Sequence, residues 1–366
     1  MAAHVRRRIV LAAVTCASIL HAVPASAQDV LGETGTRGAG STFVYPVLSR
    51  WSHGYRAWLA RGGDYPALEA SLDDPPASSA LEYEPVGSLA GLLRLEARAV
   101  DFAATDMPLT SAELARRGLG QFPMVVGGVV VAVNADGVPS GRLKLTGPVL
   151  ADIFLGRVAR WSDPAIVGLN PGLHLPDAPI TVIHRSDGSG TTFNFTAYLS
   201  AVSAEWKRTA GANLMVTWPT GKAAEGNEGV ARAVKATRNA IGYVEYAQAT
   251  ELGLAHALLQ NRAGRFVRPD AATFQAAAAG ADWSAADFHV VLTNPAGEQA
   301  YPIAATVFAM ISKTAPRAKT RAALDFFRWS LRKGSATATA LGYVPLPPAL
   351  VHRVEAYWAR TFQAGS

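Results

Sequence analysis

Cysteine is nearly missing from this sequence: Cys16 is the only one in 366 residues. That excludes an internal disulfide framework and any cluster of cysteine metal ligands. Long apolar runs are missing too. Beyond the N-terminus the longest candidate, residues 122–133, falls short of the about 20 residues a membrane-spanning helix needs and reads as a buried strand. Charge of one sign is not concentrated in the body of the chain. Arg6, Arg7 and Arg8 carry half of the formal net charge of +6. The other Lys and Arg residues are scattered without an interleaved aromatic platform, so no nucleic-acid partner is expected.

Signatures of catalysis are equally sparse. The eight His residues are dispersed and no H-E-x-x-H occurs, so no metal site is expected. Gly221-Lys222 is followed by Ala223 where a phosphate-binding loop of the Walker type needs Ser or Thr. Gly188-Ser189-Gly190 does not fit the G-x-S-x-G elbow of hydrolases, and His184, five residues upstream on a strand, is spaced like no catalytic triad.

What is present begins with an export signal. Arg6 to Arg8 precede an apolar run at residues 9–20, then Pro24 and the small residues Ala25-Ser26-Ala27. A basic head, a short apolar core and an A-x-A site are the three parts of a secretory signal peptide, with cleavage expected after Ala27. A lipid anchor on Cys16 is the alternative, but Thr15 stands where that signal needs a small residue. Beyond Ala27 lie 339 residues, more than one core commonly organises, so two lobes are expected.

Strand-like and helix-like segments then alternate, the pattern of an α/β protein. Helical spacing marks residues 42–60 from about Pro46, 91–98, 191–202, 229–237 and 321–332; β-like segments fall at 125–134, 180–185, 240–246 and 301–311. The glycine pair Gly127-Gly128 inside a valine-rich strand points to close packing against its backbone. Residues 64–79, rich in Pro, Ser and Asp, read as an exposed loop.

Three helix starts combine glycine with hydroxyl residues: GAGSTF at 38–43, Gly87-Ser88, and DGSGTT at 187–192. A helix N-terminus offers unpaired N–H groups and partial positive charge to an anion; glycine lets the backbone approach, and Ser or Thr adds a donor. Each motif alone is equally an ordinary cap or turn. Arg185 closes the strand that feeds the third motif, where an open α/β sheet binds ligands, and its guanidinium suits an oxyanion or a salt bridge to Asp187. Asp106, in the turn Thr105-Asp106-Met107-Pro108, either caps that turn or faces a ligand.

At these residues the chain resembles a known family, the phosphate-binding subunits of phosphate-specific ABC importers. The likeness covers nearly all of the chain beyond the signal. It runs through GAGSTF at 38–43, VDFAATDMPL at 100–109, QFPMVVGGVVVAVN at 121–134, DIFLGRVARW at 152–161, DGSGT at 187–191, GNEG at 226–229 and AIGYVEY at 240–246. The resemblance implies a periplasmic binding protein fold: two α/β lobes, two hinge strands and a ligand cleft. One lobe would combine residues 28–134 with 309–366, the other would span 135–308, and crossings would fall near Asn134 and Phe308. It also implies capture of inorganic phosphate in the periplasm and delivery to membrane permease subunits, by a monomer with no cofactor, no metal and no chemistry on the ligand. Carried over by position, Thr42, Phe43 (through its backbone N–H), Ser88, Asp106, Arg185, Ser189, Gly190 and Thr191 would contact phosphate. Asp106 would accept the phosphate proton, and Asp187 would orient Arg185. The chain departs from the family at Leu89-Ala90, where members often carry Ser and Gly. Rival readings are an importer subunit for another oxyanion such as sulfate or molybdate, a secreted phosphatase or other hydrolase, and an adhesive or oligomeric surface role.

Overall fold

The computed structural model describes residues 35–62 and 81–362; the expected signal at 1–27 and the tract at 64–79 lie outside the described residues. Eight strands build the main path: β1 (Thr36–Gly40), β2 (Leu81–Glu84), β3 (Phe102–Thr105), β4 (Leu119–Asn134), β5 (Thr181–Arg185), β6 (Lys222–Ala224), β7 (Ala240–Glu245) and β8 (Ala304–Ser312). Their spatial order is β2-β1-β3-β8-β4-β7-β5-β6. β1 runs parallel to β2 and β3, and β5 runs parallel to β6 and β7. β8 is antiparallel to β3 and to β4, and β4 is antiparallel to β7. Two short strands, Ala255–His256 and Val344–Pro345, also pair with β4. A small separate sheet joins Lys144–Leu145, Leu258–Gln260 and Phe266–Val267.

β4 organises this layout. It is buried along all but its last residue, which is why its sequence is almost continuously apolar instead of alternating. From Leu119 to Gly128 it pairs with β8; from Val129 to Asn134 it pairs with β7. The partner changes at the glycine pair. A side chain on Gly127 would strike the Phe43 ring at 2.7 Å, and one on Gly128 the Phe274 ring at 2.1 Å, so close backbone packing is what the glycines permit. Pro123 lies in β4 although proline donates no ladder hydrogen bond. It is accommodated where the register against β8 shifts, between Val307 and Phe308.

Seven helices shape the two lobes and their cleft: α1 (Tyr45–Leu59), α2 (Ser88–Glu96), α3 (Gly190–Val202), α4 (Gly226–Ala236), α5 (Tyr246–Glu251), α6 (Arg317–Lys333) and α7 (Pro348–Thr361). α1 buries Val47, Leu48, Trp51 and Tyr55, the three-and-four spacing of an amphipathic helix, with Pro46 tolerated in its first turn. α2 and α4 each start three residues earlier than periodicity suggests. Gly87 (φ +89°) turns the chain into Ser88, and Gly226 (φ +67°) sits in the same left-handed region, so glycines open these helices where apolar spacing carries no signal.

Two aromatic clusters pack on the sheet, one toward each end. Around α1, α6 and α7, edge-to-face contacts join Tyr55 to Phe326, Phe102 to Phe327, and Phe122 to both Phe327 and Trp358. Behind α3, Phe195 stacks on Tyr243 at 4.3 Å, and Phe154, Trp206 and Trp218 close the group. The chain is a mixed α/β protein of two lobes on one curled sheet. Among the described residues no helix is long and apolar enough to cross a membrane.

Candidate functional site

Parallel strands and the helices after them converge at one place. β1 delivers Ser41, β3 delivers Asp106, β5 ends in Arg185, and α2, α3 and α4 present their N-termini at Ser88, Gly190 and Gly226. This is the carboxyl-end location at which open α/β sheets hold ligands. Thr42, Ser88, Asp106, Arg185, Ser189 and Thr191 are all at least nine-tenths buried. Contacts join the two sequence regions directly: Gly190 N–H donates to Ser88 Oγ at 3.1 Å, and Asn194 Nδ2 donates to the Asp106 carbonyl at 2.8 Å. The room is tight. A side chain on Gly190 would meet Asp106 at 2.6 Å and Ser88 Oγ at 2.7 Å.

Arg185 is the buried cation. Its Nε donates to Asp187 Oδ1 at 2.7 Å and its Nη2 donates to Asp187 Oδ2. The Nη1 group is buried and has no hydrogen-bond partner among the described residues. The salt-bridge reading of Arg185 holds: a forked pair with Asp187 fixes the guanidinium. Burial raises the Asp187 pKa, but the Arg185 guanidinium and the Gly226 N–H outweigh it, and the carboxyl is held below its usual range. A cavity of about 250 Å³ lies beside this pair, lined by His184, Asp187, Leu214, Met215 and Trp218. His184 stacks on Trp218 at 4.8 Å, and Ser189 Oγ accepts the Thr192 N–H, capping α3. These two residues thus have separate structural tasks and form no nucleophile–base pair.

Asp106 faces the site and does not cap its own turn. Thr105 Oγ1 takes that task, accepting the Met107 N–H at 3.1 Å. Asp106 Oδ1 accepts from Ser41 Oγ at 2.5 Å, and Oδ2 accepts from Thr191 Oγ1 at 3.4 Å. Burial pushes its pKa up to about 7, against the lowering pull of Ser41, Arg185 and Thr191. It therefore changes protonation near neutral pH.

The Phe43 backbone N–H donates to Ser41 Oγ at 3.0 Å. Its ring is fully buried, and its carbonyl accepts from the Tyr343 hydroxyl at 2.7 Å. Three polar residues lie here that sequence reasoning does not select. Ser41 holds Asp106, although it stands inside the GAGSTF stretch. Asn227 is fully buried and bonded to Thr42 and Thr191; its signal in the sequence is GNEG, a stretch that suggests no role by itself. Glu245 caps α5 by accepting the N–H groups of Ala247 and Gln248, and burial pushes its pKa up to about 8. Among the described residues no group of three or more His, Cys, Asp or Glu is placed to hold a metal ion.

A deeply buried, pre-arranged cleft with a fixed cation and a titrating carboxyl, between two α/β lobes, defines a solute-binding protein of the periplasmic type. Sequence comparison agrees. A family model described as a PBP superfamily domain matches residues 31–333. The phosphate-binding protein PstS of Xylella fastidiosa (strain 9a5c) is 49% identical over 328 residues, covering 89% of this chain and 85% of the relative. The protein of the same name from Pasteurella multocida is 45% identical over 323 residues, covering 88% and 89%. A high-affinity periplasmic phosphate-binding protein solved with phosphate superposes with a TM-score of 0.66 at 23% identity, covering 88% of this chain and 93% of that one. A phosphate ABC transporter substrate-binding protein from Clostridium perfringens superposes with a TM-score of 0.61 at 16% identity, covering 86% and 100%. The chain belongs to the PBP superfamily and, within it, to the family of these PstS phosphate-binding proteins.

Proposed function

We propose that this chain captures inorganic phosphate outside the cytoplasm and delivers it to the membrane permease of an ABC importer, without chemistry on the ligand. The observation that carries this reading is Arg185: a buried guanidinium fixed by Asp187 on one edge, with Nη1 unpartnered among the described residues on another. A buried cation of this kind is stable when it meets an anion. Phosphate would sit among Thr42, Phe43, Ser88, Asp106, Arg185, Ser189, Gly190 and Thr191, with Asp187 orienting the guanidinium. Ser189 supports this through its place at the start of α3, where the helix N-terminus favours negative charge.

Asp106 supplies the preference for phosphate over sulfate. Phosphate near neutral pH carries a proton that an ionised carboxylate can accept as a hydrogen bond; sulfate carries none and would set oxygen lone pairs against the carboxylate. The raised pKa of Asp106 confines this preference to pH above about 7, because a protonated Asp106 would instead donate to sulfate.

The expected division is 28–134 with 309–366, and 135–308. The exchange of partners along β4 favours an earlier crossing, between Gly128 and Val129 where Asn134 was expected, and the start of β8 favours a return at Ala304 ahead of Phe308. The protein would act as a monomer in the periplasm after cleavage near Ala27. Calorimetric titration of the ligand-stripped protein, with phosphate and then sulfate at neutral pH, tests the reading. Tight phosphate binding with much weaker sulfate heat is expected; binding of sulfate or molybdate in preference to phosphate would replace it with another oxyanion.

A further inference from the structure

Asn227 makes an unusually complete set of bonds. It lies in the first turn of α4 and is fully buried. Its Oδ1 accepts the backbone N–H of Glu245 at 3.0 Å. A backbone N–H can only donate, so this bond fixes which end of the amide is oxygen. The Nδ2 group must then face the other way, and it does: it donates to Thr42 Oγ1 at 2.8 Å and to Thr191 Oγ1 at 3.1 Å. The backbone N–H of Asn227 also donates to Thr42 Oγ1, at 3.2 Å.

The consequence lies in where the hydroxyl hydrogens go. A threonine hydroxyl has one hydrogen and two acceptor lone pairs. Both lone pairs of Thr42 Oγ1 are taken by donors on Asn227, so its hydrogen must point elsewhere. Thr191 Oγ1 differs: it accepts from Asn227 once and donates its hydrogen to Asp106 Oδ2 at 3.4 Å. A free hydroxyl meets an anion with either its hydrogen or a lone pair. Thr42 is held with its hydrogen available.

We infer that Asn227 is a positioning residue for anion capture: by filling both lone pairs of Thr42 Oγ1 it forces that hydroxyl to act as a donor toward the ligand. The inference rests on the phosphate reading above and deepens it. It explains why a site that contains an acceptor-capable carboxyl and several hydroxyls nonetheless presents donors to an anion. It also gives a role to GNEG, whose first glycine (φ +67°) turns the chain so that Asn227 N–H reaches across to the loop after β1.

The test is a double-mutant cycle on the full mature protein, read by calorimetric titration with inorganic phosphate. Asn227→Ala is expected to weaken binding about tenfold, the loss of one net hydrogen-bond contribution of about 1.4 kcal/mol. Thr42→Val removes the hydroxyl that Asn227 orients. In the Thr42→Val background, Asn227→Ala should cost less than about threefold, because the group it acts through is gone. Additive losses would overturn the proposal, since a merely structural asparagine costs the same in both backgrounds. Should Asn227→Ala fail to give a cooperative thermal melt, Asn227→Asp keeps both the volume and an oxygen for the Glu245 N–H. Its carboxylate attracts the Thr42 hydroxyl hydrogen away from the ligand, so a loss above about tenfold is expected, and wild-type affinity would overturn the proposal. Arg185→Ala separates the two readings. If wild type binds phosphate, Arg185→Ala does not, and the Asn227 variants bind normally, only the Asn227 role falls. If wild type binds no phosphate, both fall.

Discussion

The two sides of the cleft solve different electrostatic problems. The side built from β1, α2 and β3 holds a carboxyl and hydroxyls and contributes no charged basic group; its buried Asp106 is relieved of charge by a pKa near 7. The side built from β5, α3 and α4 holds the cation, and it neutralises that cation in advance with Asp187, whose pKa moves the opposite way. Both sides bury a carboxyl, so burial alone does not decide the shift. Asp187 has a guanidinium fork within bonding distance, whereas Asp106 has hydroxyls and a more distant Arg185. On the proposed function, one side would recognise the ligand's charge and the other its proton. Affinity and selectivity would then be placed on separate elements that meet through contacts such as Gly190 N–H to Ser88 Oγ.

The sharpest way to break this division is Arg185→Ala. Removing one member of a buried charge pair costs about 2–5 kcal/mol. Phosphate affinity should fall by well over tenfold in calorimetry, since about 1.4 kcal/mol is one decade. An unchanged dissociation constant would remove Arg185 from the site. Asp187→Ala should be milder, because it loosens the guanidinium without removing its charge.

Next comes Asp106→Asn, which should change selectivity more than affinity. The new amide can donate where the carboxylate could only accept, so sulfate should bind measurably. Continued rejection of sulfate as strong as in the parent would show that selectivity resides elsewhere. Wild type offers a companion experiment. Below about pH 7 the protonated Asp106 becomes a donor, so sulfate heats should grow between about pH 7.5 and pH 5.5 without any mutation.

The pH dependence of stability follows from the same groups. Asp106 titrates near 7 and Glu245 near 8 in the folded chain, against reference values of 3.8 and 4.5. Between those limits the folded state holds protons the unfolded state has released, so stability is full below about pH 4 on their account and is lost as pH rises through 7 and 8. For the ligand-free protein, the melting temperature attributable to these groups should fall from about pH 5 to pH 8.5, and Asp106→Asn should flatten the fall. A fall of undiminished slope in that variant would contradict the raised pKa.

The smallest expected effect concerns Leu89. Its N–H donates to the Gly188 carbonyl at 3.0 Å, and its side chain occupies the space a Cβ on Gly188 would need. Leu89→Ser keeps the backbone bond and removes a half-buried apolar contact worth about 1 kcal/mol. Phosphate release, followed by stopped-flow, should quicken by about fivefold with little change in association. An unchanged release rate would make Leu89 a bystander at the seam.

Much of this is legible in sequence, for identifiable reasons. Val125 to Asn134 reads as a strand because burial on both faces leaves a continuous apolar run. Arg185, Asp187 and the glycine–hydroxyl motifs are legible because each is local: a strand end, a turn and a helix start lie within a few residues of one another. Ser41, Asn194 and Asn227 do not stand out, because their partners are far along the chain. Asn227 and Thr42 are separated by 185 positions, and Ser41 and Asp106 by 65. No periodicity reports a bond of that kind. The early starts of α2 and α4 are hidden for a local reason, since glycine in the left-handed region leaves no apolar signature.

The Phe43 ring has a consequence of its own. It rests against Gly127, at the point where β4 exchanges one neighbour for another, while the backbone of the same residue lies in the loop beside Asp106. One residue therefore touches both the ligand loop and the strand common to both ends of the sheet. On the proposed function it would act as a mechanical lever with its short arm at the ligand. A side chain on Gly127 would strike the ring at 2.7 Å, so the aromatic plate packs directly on the backbone of the crossing strand. Occupancy of the cleft would thereby reach the strand's turning point, far from any surface a permease would feel directly.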